Sequence, residues 1–247
     1  MEKLIAELMR LFVPENALSP QLLAQRALGH PTEALNLVTG EGLTRAIAIP
    51  FDKGPNKEEA GHWTRLCDTA NALQADHGFP APAVSVSGRC GYSLWISLAE
   101  PVPVAQAQAF AGLLLRSRFR DLPPETHNAA AELPPYLNAD TGRWAAFIHP
   151  GMGASFADEP WLGMAPPPHA QAAFLEDAGS VSPAVFERAL AALQPVSAAA
   201  AACAAPVPIP GRAGLLLEDA TVEDIVRHLH ALNIEPTFRY LMPERGA

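Results

Sequence analysis

The chain alternates between stretches whose apolar residues lie three or four positions apart and stretches in which every second residue is apolar. The first spacing is typical of helices, and it predicts helices at residues 2–12, from Ser19 onward, at 58–76, at 104–116, after Ser182 and at 222–232. The second spacing is typical of strands, and it predicts strands at 45–51, 83–87, 92–98 and 144–149. This order of elements predicts an α+β (or α/β) domain of two layers.

Composition divides the chain into three parts. Residues 1–194 contain nearly all of the predicted strands and helices and are predicted to form one domain. Residues 195–213 are rich in proline and alanine, which is typical of a linker. Residues 214–247 carry one further amphipathic helix, which is predicted to dock on a protein partner or on the domain itself.

Charge and cysteine content limit the classes of function. The formal net charge is −9, so any grip on nucleic acid has to come from a local basic face and not from the overall field. Three widely spaced cysteines match no zinc-binding pattern and fit a reducing cytosol. We find no leader-like start and no apolar run long enough to span a bilayer, which predicts a cytoplasmic protein without a membrane partner.

The end of the first predicted strand is the first candidate site. Residues two apart on a strand share a face, so an acid at position 50 together with Asp52 would aim two carboxylates at one point, as magnesium and manganese sites require. The chain has Pro50 there, which offers no side-chain oxygen and restricts the strand to an end, a bulge or a sheet edge. Taken alone, Asp52 and the residues after it are more typical of an ordinary strand-to-helix turn than of a metal site.

The second candidate site is the predicted hairpin turn at residues 87–91. Its glycines would let the backbone approach a ligand closely, and Ser87 and Arg89 are residue types that contact phosphate. After the turn, Ser93 shares a strand face with Trp95, whereas Tyr92, Leu94 and Ile96 face the other way. An ordinary glycine-turn hairpin is the alternative interpretation.

Together, residues 46–53 and 87–96 resemble the central motifs of the archaeo-eukaryotic primase-polymerase superfamily. That family has two acids two residues apart, and later a serine-glycine turn, a glycine, an aromatic residue and a histidine before an apolar strand. This chain matches the turn and the strand but has Pro50 in place of an acid and Ser93 in place of the histidine. The resemblance spans residues 8–150 and is nearest to the branch found in mobile elements and conflict systems.

The resemblance implies a fold and a set of site residues. The fold would be an RRM-like core, an antiparallel-rich sheet packed with helices, followed by a C-terminal helical appendage. Glu132, before an apolar strand led by Gly142, would be the third acid of the family; a solvated loop glutamate is the alternative. Asp52 and Glu132 would hold Mg²⁺ or Mn²⁺ if an ion is bound at all. A nucleotide would contact the residues Ser87, Gly88, Arg89, Gly91 and Ser93.

One basic cluster could touch a nucleic-acid backbone. Arg116, Arg118 and Arg120 follow each other closely at the end of a predicted helix. Cations at this end of a helix also favour the helix dipole, so a solvated helix terminus is the alternative.

Three functions follow from these observations. We favour a degenerate primase-polymerase-like protein, linked to DNA replication or mobile elements, that binds nucleotide, nucleic acid or a protein and has weak or no catalysis. An active metal-dependent primase or polymerase is the alternative, opposed by the loss of donors at Pro50 and Ser93. An unrelated α+β binding domain is the third, and it predicts that Asp52, Ser93 and Glu132 lie far apart.

Overall fold

The computed structural model describes residues 1–32, 35–53, 61–119 and 132–194. Within these ranges the chain is a mixture of helices and a mainly antiparallel sheet, which confirms the α+β class. The helices are α1 (Glu2–Phe12), α2 (Pro20–Ala27), α3 (Gly61–Ala75), α4 (Val104–Arg118), α5 (Pro168–Glu176), α6 (Pro183–Leu193) and a 3₁₀ helix at Pro150–Phe156. The strands are β1 (Leu43–Asp52), β2 (Ala83–Val86), β3 (Gly91–Pro103), β4 (Tyr136–Leu137), β5 (Trp144–Ile148) and β6 (Ser180–Val181).

The strands pair in the order β1-β3-β2-β5-β4, all antiparallel, and β6 adds a short parallel pairing to β3. The predicted hairpin of β2 and β3 is confirmed, with Val86 opposite Tyr92. β1 lies at one edge of this order, and β3 lies next to it, between β1 and β2. The ends of β1 and β3 that carry the candidate residues therefore lie side by side.

The sheet is covered on both faces, so the prediction of two layers is wrong. On one face α3, α4 and α6 pack on alternate residues of the strands, including Ile49, Phe51 and Leu94. On the other face α1, α2 and α5 pack around Trp95 and Phe147. A sheet buried on both sides needs apolar residues at successive positions, and β3 is buried from Gly91 to Leu98.

Helix α5 is absent from the prediction because its buried side is small and partly polar. Its buried residues are Gln171, Ala172 and Leu175, which do not form an apolar stripe. Gln171 nonetheless fixes the helix to the sheet: its side-chain amide donates to Phe147 O (2.9 Å), and its carbonyl accepts from Phe147 N (2.8 Å). A buried side chain thus takes the place of a neighbouring strand at this point of β5.

Some predictions concern residues outside the described ranges. These are the linker at 195–213, the helical segment at 214–247, Arg120 and the first residues of the helix predicted at 58–76. Among the helices of the described ranges, none combines the length and the apolar character that a membrane crossing requires.

Candidate functional site

A cavity of about 300 Å³ opens on the sheet face that also carries Trp95 and Phe147. Residues from all three motifs line it, although they lie far apart in the sequence. The predicted site residues on its wall are Pro50, Asp52, Ser87, Arg89, Ser93 and Glu132. The structure therefore brings Asp52, Ser93 and Glu132 into one cavity, where the third hypothesis expected them to lie apart.

The floor of the cavity is a row of residues across three strands. Pro50 of β1 lies opposite Ser93 of β3, and Ser93 lies opposite Ser85 of β2. The Ser85 hydroxyl accepts a hydrogen bond from the buried indole N–H of Trp95 at 2.8 Å. Ser93 is only 6 % exposed, and among the described residues its hydroxyl has no hydrogen-bond partner. This hydroxyl is available to a ligand in the cavity.

Pro50 is tolerated because β1 is an edge strand. The N–H of Lys53 donates to Cys90 O (3.0 Å), and hydrogen-bonded pairs alternate along an antiparallel ladder. Pro50 and Ser93 are therefore a non-hydrogen-bonded pair, and the nitrogen of Pro50 points to the open edge. We expected Pro50 to lie at a strand end, at a bulge or on an edge strand, and the structure confirms that it lies on an edge strand.

The two turn glycines make room for the chain itself. A Cβ on Gly91 would lie 2.6 Å from Asp52 Oδ1 and closer still to the Phe51 carbonyl. Gly88 has a φ of +72°, and a Cβ there would lie 3.0 Å from the backbone nitrogen of Ala145. The close approach predicted for a ligand is thus made by β1 and β5, and it brings Asp52 against the turn.

Most backbone N–H groups of this turn are already bonded within the protein. The Ser87 hydroxyl accepts from the N–H of Arg89 (3.2 Å) and of Gly91 (3.0 Å), and Gly88 N–H donates to Pro160 O (3.1 Å). The turn therefore does not offer these N–H groups as a cradle for phosphate. Contact with an anion falls to side chains, above all Arg89, which is exposed.

Glu132 is held by a buried arginine that the sequence analysis did not single out. Arg26 of α2 is 6 % exposed and pairs through Nη2 with Glu132 Oε2, while its Nη1 donates to Thr32 Oγ1 at 3.1 Å. Its guanidinium lies 4.4 Å from the ring centre of Tyr136, a cation–π contact. Burial and the negative charge of Glu132 raise the pKa of Tyr136 to about 12.

A second cavity of about 280 Å³ adjoins the first and shares its wall at Arg89, Glu132, Tyr136 and Asn138. Arg26 lines this second cavity but not the first. At the shared wall Arg89 pairs with Asp140, and both side chains are exposed. Asn138 is 7 % exposed and shapes the loop by accepting from the N–H groups of Asp140 and Thr141.

At the rim, Asp52 is exposed and faces the thiol of Cys90. Desolvation raises the pKa of Cys90, and the charge of Asp52 and a hydrogen bond to it raise this pKa further, whereas Arg89 lowers it. The neighbouring Lys53 is held away from the cavity by Asp158, whose carbonyl accepts from Nζ at 3.0 Å.

These residues do not fit the pair of metal ions that the resemblance implies. Pro50 contributes no oxygen, Ser93 a neutral hydroxyl, and the carboxylate of Glu132 is already paired with Arg26. Asp52 is the remaining carboxylate on the wall, and within the described ranges no three or more His, Cys, Asp and Glu side chains are grouped so that they could hold a metal. Two-ion chemistry needs oxygen ligands shared between both ions, so we derive no step through them.

The predicted basic cluster lies elsewhere. Helix α4 packs on the sheet face opposite to the cavity, and there Arg116 is exposed and Arg118 donates to Asp76 at 3.2 Å. His62 also lies on that side, 1 % exposed and stacked on Tyr92; burial, Lys53 and Arg65 lower its pKa. Neither group lines the cavity.

The important residues that sequence reasoning missed are Arg26, Tyr136 and Asn138. Arg26 had a visible signal, since it falls one turn after Leu23 on the apolar side of a short helix, where a charge has to find a partner. Tyr136 and Asn138 had none, because β4 is only two residues long and the segment around it has no periodic pattern that shows which side chains point inward.

No family model matches the chain, and no curated protein matches it.

Proposed function

We propose that this chain is a degenerate primase-polymerase-like protein whose sheet-face cavity binds one nucleotide without catalysing its transfer. The observation that carries the proposal is the meeting of the three motifs in one cavity, with the third acid engaged by Arg26. The proposal includes a cytosolic role in DNA replication or mobile-element biology. A protein partner would bind the predicted C-terminal helix.

The topology supports the RRM-like part of this proposal. β3 is inserted between β1 and β2, which are linked through α3, so the three strands form a split β-α-β unit. Both α3 and α4 pack on the same face of the sheet, as crossover helices of such a core do. The next strand, β5, pairs with β2 and extends the sheet on that side.

The size of the cavity supports a single nucleotide as the ligand. Ligand cavities commonly measure about 300 to 1,000 Å³, and this one lies at the lower limit. Its wall also offers the mixture that a nucleotide needs, with the hydroxyl of Ser93, the ring of Tyr136 and the guanidinium of Arg89.

Arg89 is the cation that can turn to a phosphate. Its pairing with Asp140 joins two side chains that are 53 % and 72 % exposed, and exposed pairs are worth roughly 0–1 kcal/mol. A phosphate can therefore replace Asp140 and accept two parallel hydrogen bonds from the guanidinium of Arg89. In the Arg26–Glu132 pair the guanidinium is buried, so it does not exchange its partner in this way.

Calorimetric titration of the full chain with dATP and with dAMP, with and without Mn²⁺, tests the proposal. We expect saturable binding that weakens about tenfold in Arg89→Gln, equivalent to about 1.4 kcal/mol. Arg116→Gln is the matched control, because it removes another exposed arginine from the opposite face, and it should bind like the unaltered chain. Absence of saturable binding, or equal effects of the two substitutions, would overturn the proposal.

Catalysis is tested separately with a primed and an unprimed template, labelled nucleotides and Mn²⁺. We expect no incorporation. Incorporation that disappears in Asp52→Ala would identify the chain as an active polymerase instead.

A further inference from the structure

We infer that Arg26 is a built-in counter-ion of Glu132: from the wall of the second cavity its guanidinium neutralises a carboxylate that also lines the first cavity, and it thereby weakens the binding of a divalent cation there. The inference concerns the ion chemistry of the cavity and does not depend on nucleotide binding.

The burial of Arg26 is the first support. Only 7 % of its side chain is exposed, against 38 % for Glu132, so the guanidinium approaches the carboxylate from inside the protein. A buried charge is retained only where a partner compensates it. Arg26 and Glu132 therefore depend on each other, and the carboxylate cannot turn to a metal without leaving the guanidinium uncompensated.

The second support is that the surroundings fix the guanidinium in place. Thr32 accepts from Nη1 at 3.1 Å, and the ring of Tyr136 lies against the guanidinium plane at 4.4 Å. Nε has no partner among the described residues, so within this part of the chain the hydrogen-bond partners of the guanidinium are Thr32 and Glu132. A planar group held on three sides stays at the carboxylate, whereas the exposed Arg89 is free to exchange its partner.

The third support is the remaining charge of the cavity. With Glu132 neutralised by Arg26, the first cavity retains one uncommitted carboxylate, Asp52, and carries Arg89 on the same wall. One carboxylate beside a cation is a weak ligand for Mn²⁺, which takes several oxygen ligands. Releasing Glu132 would give the same cavity two carboxylates.

The experiment measures Mn²⁺ binding to the full chain by loss of the free-ion signal in electron paramagnetic resonance. The unaltered protein should bind Mn²⁺ weakly, and Glu132→Gln should leave that binding unchanged within about twofold, because Glu132 is not free to contribute. If the unaltered protein binds one Mn²⁺ and both Asp52→Asn and Glu132→Gln abolish it, the inference is wrong. This arm requires no variant at Arg26.

The second arm removes the guanidinium. Arg26→Met keeps an apolar stem in place of the arginine stem but removes the guanidinium and frees Glu132, and we expect Mn²⁺ to bind at least about tenfold more tightly. Adding Asp52→Asn should abolish the gain. Arg89→Met is the matched control, since it removes the other arginine of the site without freeing Glu132.

The outcomes separate this role from a merely structural one. A native-like Arg26→Met variant, judged by circular dichroism and melting, that gains no Mn²⁺ affinity overturns the inference. So does an equal gain in Arg89→Met, which would mean that any lost positive charge has the same effect. If Arg26→Met does not fold, the Glu132→Gln comparison decides. Loss of nucleotide binding in the unaltered chain would overturn the proposed function and leave the Mn²⁺ result standing.

Discussion

Pro50 and Ser93 lie directly opposite each other on β1 and β3, as a non-hydrogen-bonded pair whose side chains share the floor of the cavity. The two positions at which the chain departs from the motifs it resembles are thus neighbours in space. Such pairs bring side chains to their closest approach in an antiparallel sheet. A change at one position therefore alters the surroundings of the other.

Restoring both residue types should restore ion binding but not polymerisation. The double variant Pro50→Asp with Ser93→His gives the cavity an additional carboxylate and an imidazole beside Asp52, and we expect Mn²⁺ affinity to rise about tenfold or more. Labelled-nucleotide incorporation should remain absent, because Glu132 is still paired with Arg26. Pro50→Asp alone is the control and should show a smaller gain. Incorporation by the double variant would contradict the importance of Arg26.

Gly91 should be intolerant of a side chain. Its Cβ would collide with the Phe51 carbonyl and with Asp52, so Gly91→Ala has to push β1 away and should lower the free energy of unfolding by about 1–3 kcal/mol. Urea denaturation measures this. Gly40→Ala is the control, since no heavy atom lies within 4 Å of its Cβ, and a change of less than about 0.5 kcal/mol is expected. Equal effects would show that β1 and the turn separate easily.

Gln171 should contribute strongly to stability although it is polar. Gln171→Ala leaves a buried N–H and a buried C=O of Phe147 without partners, and each such group costs about 1–3 kcal/mol. We expect a loss of about 2–4 kcal/mol in chemical denaturation. Gln74→Ala removes an exposed glutamine that bonds only within its own helix, and it should have little effect.

The reactivity of Cys90 should depend on Asp52. The raised pKa of Cys90 means that less thiolate is present at pH 8 than in an ordinary cysteine, and the thiolate is the reactive form. Asp52→Asn removes a negative charge that contributes to this shift, so the pKa should fall and alkylation by iodoacetamide at pH 8 should become faster. Peptide-resolved mass spectrometry can follow Cys67 in the same sample as an internal control. A slower or unchanged rate at Cys90 would show that its sulfur does not face Asp52.

The periodic elements were predictable because each depends on spacing within one segment. Helix α1 begins and ends at the predicted residues, and β1, β2, β3 and β5 appear within a few residues of their predicted bounds. Helix α5 was not, because Gln171 contributes through two hydrogen bonds to Phe147, a contact that no local pattern contains. The same reason explains why the second layer of helices, on the sheet face that carries Trp95, was not predicted.

The sequence predicted which residues form the candidate site, but not the hydrogen bonds and ion pairs that they make there. The motifs nominated Asp52, Ser93 and Glu132, and these residues line one cavity. The sequence could not show that the Ser87 hydroxyl accepts from the N–H groups of Arg89 and Gly91, nor that Arg26 forms an ion pair with Glu132. The first depends on how a side chain is rotated, and the second joins residues far apart in the sequence. Both contacts decide which donors and acceptors a ligand can still use.

The free edge of β1 has a consequence for assembly. Along its outward-pointing backbone, Ala46 is closed off by the Thr44 hydroxyl, which accepts from its N–H and donates to its carbonyl, each at 3.2 Å. The next outward-pointing residue is Ala48, and the one after it is Pro50, which has no N–H to donate. An incoming strand from another molecule would find outward N–H groups at Ala48 and Asp52 but none at Pro50 between them, which interrupts the ladder. Pro50 thus offers no carboxylate to the cavity on one side and no ladder donor to the open edge on the other, and the second absence disfavours edge-to-edge pairing with another copy.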